Sequence, residues 1–270
     1  MRIAHIILLG TLTFCWLWLL PILCVGFVMC IPFALVLLPT CVVISFTLQY
    51  VHHGKIFAKS RLRNAVSSIP WNEWFPCNTI HVTEPCVVAV HPHGVICCGA
   101  LAGIHFVPGS ETVFAVAPLL FYVPILGWIL RLLGCVPARF PIMLKALRKG
   151  YPVIVMPGGV PELVMSEEQN DSKLFLKRRR GFLRLASLTK TSVLCVTVSG
   201  ECNTYRRILA PCLQQRIYIS WRTNVPLTLP IFAGWYNTWL PKRTPLRIET
   251  RLFKNPTKSE YEAHVIRMLV

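Results

Sequence analysis

Acidic residues are scarce in this chain, with 11 Asp and Glu against 28 Lys and Arg and a net charge of +17. From Ile3 to Gly54 no charge of either sign occurs. A run so long and so apolar is not the surface of a water-soluble domain, and it exceeds the roughly 20 residues that cross a bilayer as one helix. Also missing is any C-x-x-C pair, although the chain holds 12 cysteines. That absence argues against a zinc ribbon or a dithiol redox motif. Because Cys15, Cys24, Cys30 and Cys41 lie in the apolar run, the cysteines read as buried, reduced thiols rather than a disulfide framework. No G-x-S-x-G occurs either, which disfavours a nucleophile-elbow serine hydrolase.

What is present starts with hydrophobicity: 54% of residues are apolar and the mean hydropathy is +0.55. Pro32 and Pro39 interrupt the uncharged run, so residues 1–54 are expected to form a membrane-embedded hairpin of two short helices. A secretory signal peptide is the competing reading. The run is far longer than an h-region of roughly 7 to 15 residues and lacks a small-residue cleavage site. Lys55, Lys59, Arg61 and Arg63 follow at once and by the positive-inside rule keep the remainder cytosolic. Residues 55–73, with Trp71 and next to Trp74 and Phe75, read as a basic and aromatic connection at headgroup depth.

From residue 74 to 270 the pattern changes. Short β-branched runs at 86–91, 112–117, 152–156, 193–198, 216–221 and 246–253 alternate with helical patterns at 95–106, 119–133, 141–150, 180–189 and 259–270. Such alternation predicts an α/β domain with a sheet flanked by helices. The excess of positive charge suits an anionic membrane surface or a polyphosphate ligand such as coenzyme A. Nucleic acid is disfavoured, since no nucleic-acid motif accompanies the basic residues.

Three stretches carry chemistry. Val87 to Val90 runs as a strand into His91-Pro92-His93-Gly94, and ligands of open α/β sheets bind beyond the carboxyl ends of strands. A histidine there suits general-base work near neutral pH, or it only caps the following helix. Zinc held by His91, His93 and Cys97 or Cys98 is a weaker alternative, since the spacing matches no established pattern; no metal is expected. A second strand runs into Gly158-Gly159-Val160-Pro161-Glu162, where glycines let backbone N–H groups approach a ligand oxygen. The bland reading is a tight turn. The third stretch, Lys177 to Arg184, opens a helix with basic side chains and suits phosphate, or a solvated face on anionic lipid.

Together with Trp74-Phe75-Pro76, Gly134-Cys135-Val136-Pro137-Ala138-Arg139, Arg179-Arg180-Gly181-Phe182 and Gly200-Glu201-Cys202-Asn203, these blocks resemble, in order, the type-2 mono- and diacylglycerol acyltransferase family. The resemblance implies a glycerolipid-acyltransferase-like sheet. It also implies an acyl-CoA-dependent enzyme of the endoplasmic reticulum membrane and lipid droplets, with acyl-CoA as co-substrate and no further cofactor. On this resemblance His91 is the catalytic base, with His93 in support and Glu162 as the loop glutamate. Gly94, Arg139, Gly158, Gly159, Arg179 and Arg180 are expected to bind substrate.

Three departures from the family stand out: Trp74 replaces its tyrosine, Pro161 precedes the glutamate, and Ile248-Glu249-Thr250-Arg251 replaces a late Val-Gly-Glu-Pro block. Val95 also sits where the wider superfamily often places aspartate. The expected reaction is esterification of a neutral lipid hydroxyl, mono- or diacylglycerol. A lysophospholipid or glycerol-phosphate acyltransferase and a non-catalytic lipid-droplet protein are the alternatives, and self-association stays open.

Overall fold

The computed structural model describes residues 59–123, 125–159, 180–209, 231–254 and 256–269, together with Thr40, Val43, Ile44, Thr47, Glu162, Cys212, Gln215, Arg216, Tyr218 and Ile219. The expected hairpin therefore lies outside the described residues, apart from four positions. Among the described residues no helix is long and apolar enough to cross a membrane.

The domain is built on a six-stranded mixed sheet. In chain order its strands are β1 (Val87–His91), β2 (Val113–Val116), β3 (Cys135–Pro137), β4 (Val153–Val155), β5 (Val193–Ser199) and, after a separate antiparallel pair of β6 (Arg206–Leu209) and β7 (Ile231–Ala233), β8 (Arg247–Phe253). Their spatial order is β3-β2-β4-β1-β5-β8. All neighbours are parallel except β5 and β8, which pair antiparallel from Val193 opposite Phe253 to Ser199 opposite Arg247. Central β1 is buried along its whole length, as the apolar run predicts for a parallel strand covered on both faces. Edge strand β8 exposes Arg247 and Arg251, charges that discourage further strand pairing.

Strand parity divides the core. Val88 and Val90 point to one face and pack with Phe75, Ile104 and Phe114. That face is covered by α3, three helical residues (Cys98–Ala100) continued by a π turn (Leu101–His105), and by α4 (Leu126–Leu132). Val87 and Ala89 point to the other face, toward Leu147, Leu185 and Tyr261. There lie α5 (Phe140–Arg148), α6 (Gly181–Thr189) and α7 (Lys258–Leu269). Helix α5 has proline in its first turn, where the missing N–H costs nothing, and Gly150 at φ +87° follows its end.

Several expectations need correction. Two helices precede the sheet, α1 (Arg61–Ser67) and α2 (Trp71–Trp74), within the segment read as an interfacial connection. Arg63 is buried at 1% exposure, and its guanidinium donates to the carbonyls of Thr112 (2.8 Å) and His105 (2.9 Å). Burial lowers its pKa to about 10, still cationic at neutral pH. It joins α1 to the sheet domain rather than facing lipid. Phe75 is likewise core, Trp71 stacks on Phe106, and Trp74 donates to the carbonyl of Pro241, so this cluster packs inward. The helix expected over 119–133 is two pieces, a 3-10 turn at Pro118–Tyr122 and α4, separated where Ile125 takes φ +65°. The strand expected over 216–221 is not formed at its described positions, since Arg216, Tyr218 and Ile219 are helical.

Candidate active site

Four parallel strands, β1, β2, β3 and β4, and β5 beside them, end on one edge of the sheet, and the segments singled out in the sequence emerge there. Strand β1 delivers the His91-to-Gly94 motif, β3 delivers Arg139, and β4 delivers the Gly158-Gly159 turn. Helix α6 runs back from this edge to the start of β5, which puts Arg180, its N-cap, at the same end.

The two histidines of the motif occupy different environments. His91 continues the parity of Val87 and Ala89, so its ring enters the α7 face and is 0% exposed. Its Nε2 lies 3.0 Å from the Tyr261 hydroxyl, and its Nδ1 lies 3.5 Å from Glu162 Oε1, the outer limit of a hydrogen bond. Burial holds the Tyr261 phenol protonated, and its hydroxyl bridges His91 Nε2 and the Cys195 thiol. His91, the expected base, is thus enclosed, with both ring nitrogens facing buried side chains.

His93 lies beyond the strand end and is half-buried. Its backbone N–H donates to Glu162 Oε2 (3.3 Å) and its Nδ1–H to the carbonyl of Gly94 (2.7 Å). The second bond fixes the tautomer and leaves the Nε2 lone pair, which has no partner among the described residues. Burial draws the imidazole pKa below its usual range, against the pull of Glu162 and of the Gly94 carbonyl, so the ring is neutral at pH 7. A neutral imidazole with a fixed Nδ1–H and an open Nε2 is the form that accepts a proton.

Glu162 is 0% exposed and ties the two histidines together. Gly158 leaves room for it, since a Cβ there would overlap the carboxylate. The neighbouring Gly159 N–H closes its own turn on the Met156 carbonyl (3.2 Å), which removes it from the expected ligand-facing donors. The N–H groups of Gly94, Val95 and Ile96 have no partner among the described residues and line the loop beside His93. Cys97 and Cys98 are buried and their thiols are pushed well above the ordinary range by burial, so neither is a thiolate near pH 7. An acyl-cysteine route is disfavoured. Among the described residues no three His, Cys, Asp or Glu side chains cluster as a metal site.

A model of the diacylglycerol acyltransferase family matches residues 27–260. The chain belongs to this family. Among curated relatives it is 28% identical over 170 residues to Diacylglycerol O-acyltransferase 1 of Schizosaccharomyces pombe, covering 57% of this chain and 49% of that protein. It is 30% identical over 131 residues to human 2-acylglycerol O-acyltransferase 3, covering 44% and 38%. With mouse Diacylglycerol O-acyltransferase 2-like protein 6 it shares 31% over 134 residues, covering 45% and 39%. The matches span about half or less of these relatives' length. Among solved structures the 1-acyl-sn-glycerophosphate acyltransferase PlsC of Thermotoga maritima is similar at 14% identity and a TM-score of 0.43, covering 84% of this chain and 91% of that one.

Arg139 and Arg180 are placed at the same edge and bond to neither histidine. Exposed Arg139 donates through Nη2 to the Tyr122 hydroxyl (2.8 Å). Around that pair Leu119, Tyr122, Ile125 and Trp128 are exposed, an apolar lip formed by the β2–β3 connection. Arg180 is exposed, whereas Arg179 lies outside the described residues. Behind it α6 buries Phe182, Leu185 and Ala186, whereas Leu188 is 55% exposed. Sequence reasoning missed Tyr261. Its signal was the apolar spacing of the last helix, which marks core positions but does not say what they touch.

Proposed function

We propose that this chain is an acyl-CoA-dependent O-acyltransferase that esterifies the free hydroxyl of a mono- or diacylglycerol, with His93 as the general base. The observation that carries the reading is the imidazole of His93, neutral and half-buried beyond the end of β1, with Nδ1–H held by the Gly94 carbonyl and Nε2 open. Nε2 takes the hydroxyl proton as the oxygen attacks the thioester carbonyl carbon. The tetrahedral oxyanion collapses, the C–S bond breaks, and the coenzyme A thiolate recovers the proton from the imidazolium. General-base help of this kind contributes roughly 10² to 10⁴ in rate. The unengaged N–H groups of Gly94 to Ile96 are the oxyanion donors, and Glu162 positions the base by holding the His93 backbone. His91 supports the site from behind, through Glu162 and Tyr261.

An uncharged acceptor is favoured by the exposed apolar lip of Leu119, Tyr122, Ile125 and Trp128, which suits the surface of a bilayer. Arg139, Arg179 and Arg180 then serve the acyl-CoA phosphates, and the uncharged run from Ile3 to Gly54 anchors the enzyme in the endoplasmic reticulum membrane or on lipid droplets. The test is transfer from labelled acyl-CoA by membranes carrying the chain, offered monoacylglycerol, diacylglycerol and lysophosphatidate in parallel. Labelled di- or triacylglycerol supports the reading. Selective labelling of phosphatidate overturns the acceptor, and no transfer above control membranes overturns the activity.

A further inference from the structure

A second buried carboxylate meets the His93 loop from the other face of the sheet. Glu201 follows Gly200, whose φ of +90° turns the chain directly after β5 and brings the side chain under α3. It is 2% exposed. Oε1 accepts the N–H of Cys98 (2.7 Å) and Oε2 the N–H of Gly99 (2.9 Å), the first donors of α3. The same carboxylate lies against Gly94, where a Cβ would overlap Oε1, and close to Gly99. Gly94 is therefore a site where backbone and carboxylate are pressed together without an intervening side chain, while at Gly99 the nearer neighbour is Val198. Between these two contacts runs Gly94-Val95-Ile96-Cys97, the loop that carries the unengaged N–H groups and ends at Cys97 in the left-handed region (φ +58°). No cationic side chain pairs with Glu201 among the described residues, so this carboxylate is held by backbone donors alone.

We infer that Glu201 is a positioning residue for acyl transfer: in its ionised form it fixes the loop from Gly94 to Gly99, and so sets both the aim of the oxyanion donors and the Gly94 carbonyl that orients His93. The inference rests on the proposed acyltransferase reading. It predicts a distinctive pH dependence. Burial raises the Glu201 pKa to about 7, against the lowering effect of the two N–H bonds. The groups facing it are the thiols of Cys77, Cys97 and Cys98 and the phenol of Tyr205, all pushed upward and protonated near neutrality, with His93 beyond Gly94. As pH falls through about 7 the carboxylate gains a proton, one oxygen becomes a donor, and it can no longer accept both N–H groups. Loss of the His93 base form comes at lower pH, because its pKa is depressed.

The test compares intact wild-type chain and Glu201→Gln in the same membranes, using labelled acyl-CoA and diacylglycerol from pH 5.5 to 8.5. Glutamine keeps the volume but offers one acceptor and one donor, which mimics the protonated state at every pH. Expected are a fall in kcat on the order of 10- to 100-fold with KM for both substrates near wild type, and loss of the limb near pH 7 with only the lower one left. A variant with wild-type kcat, or one that keeps the limb near pH 7, overturns the inference. Hydrogen exchange of wild-type protein gives a second reading that needs no variant. Protection of the Cys98 and Gly99 amides, corrected for intrinsic rate, should drop on acidification through pH 7, and unchanged protection overturns the inference. Wild-type membranes that transfer nothing to any acylglycerol sink the acyltransferase reading instead.

Discussion

His91 and His93 are separated by one proline, yet one is an element of the core and the other belongs to the open edge of the sheet. The ring of His91 is enclosed by Glu162 and Tyr261, with both nitrogens engaged. The ring of His93 has one nitrogen fixed and one open. Two like residues in one motif thus meet different surroundings, and on the proposed reading one supports and the other reacts. The division follows from strand parity: His91 is the last residue of β1 and takes the side of Val87 and Ala89, whereas His93 has left the strand.

The comparison breaks most visibly at the two histidines themselves. His93→Ala should lower kcat by roughly 10² to 10⁴ while the thermal midpoint changes little, because the ring is half-buried and its side-chain bonds, to the Gly94 carbonyl and Cys97 Sγ, are local. His91→Ala should lose stability, on the order of 1–3 kcal/mol for the buried partners left unsatisfied, and lose turnover only as far as Glu162 shifts. Thermal unfolding beside acyl-transfer assays separates the two. Equal loss of turnover at equal stability in both variants would erase the distinction.

Tyr261→Phe sharpens it further, since it removes only the hydroxyl that bridges His91 Nε2 and the Cys195 thiol. A loss of about 1 kcal/mol in unfolding, with kcat within a few-fold of wild type, is expected. A rate loss as large as that of His93→Ala would place His91 in the reaction itself. The smallest effect belongs to the periphery. Arg180→Ala should raise KM for acyl-CoA a few-fold, about what one exposed ion pair contributes, and leave KM for glyceride unchanged. A change in the glyceride constant alone would move Arg180 to the acceptor side.

Much of this was legible in residues 86–91, 112–117, 152–156 and 193–198, because buried parallel strands are short, β-branched and apolar, and in 246–253, where an edge strand keeps β-branched residues among exposed charges. The site was legible as motifs at strand ends, which is where β1 and β4 deliver them. What did not show was the facing of side chains. Nothing in His-Pro-His-Gly says which histidine is enclosed until Tyr261, 170 residues away, is packed on it. Arg63 misled for a similar reason. A basic residue after an apolar run suggests a membrane surface, and only the tertiary fold supplies the carbonyls of His105 and Thr112 that bury it. Strand β3 escaped detection because three residues ending in proline carry too little pattern.

Chemical rescue tests the central claim most directly. Acyl transfer to diacylglycerol is measured in membranes carrying His93→Ala or His91→Ala, with and without added imidazole. If His93 is the base, imidazole restores part of the turnover of His93→Ala in proportion to its neutral form, and does nothing for His91→Ala, whose site is closed and whose defect is structural. Rescue of His91→Ala alone, or full turnover by His93→Ala without imidazole, would contradict the account.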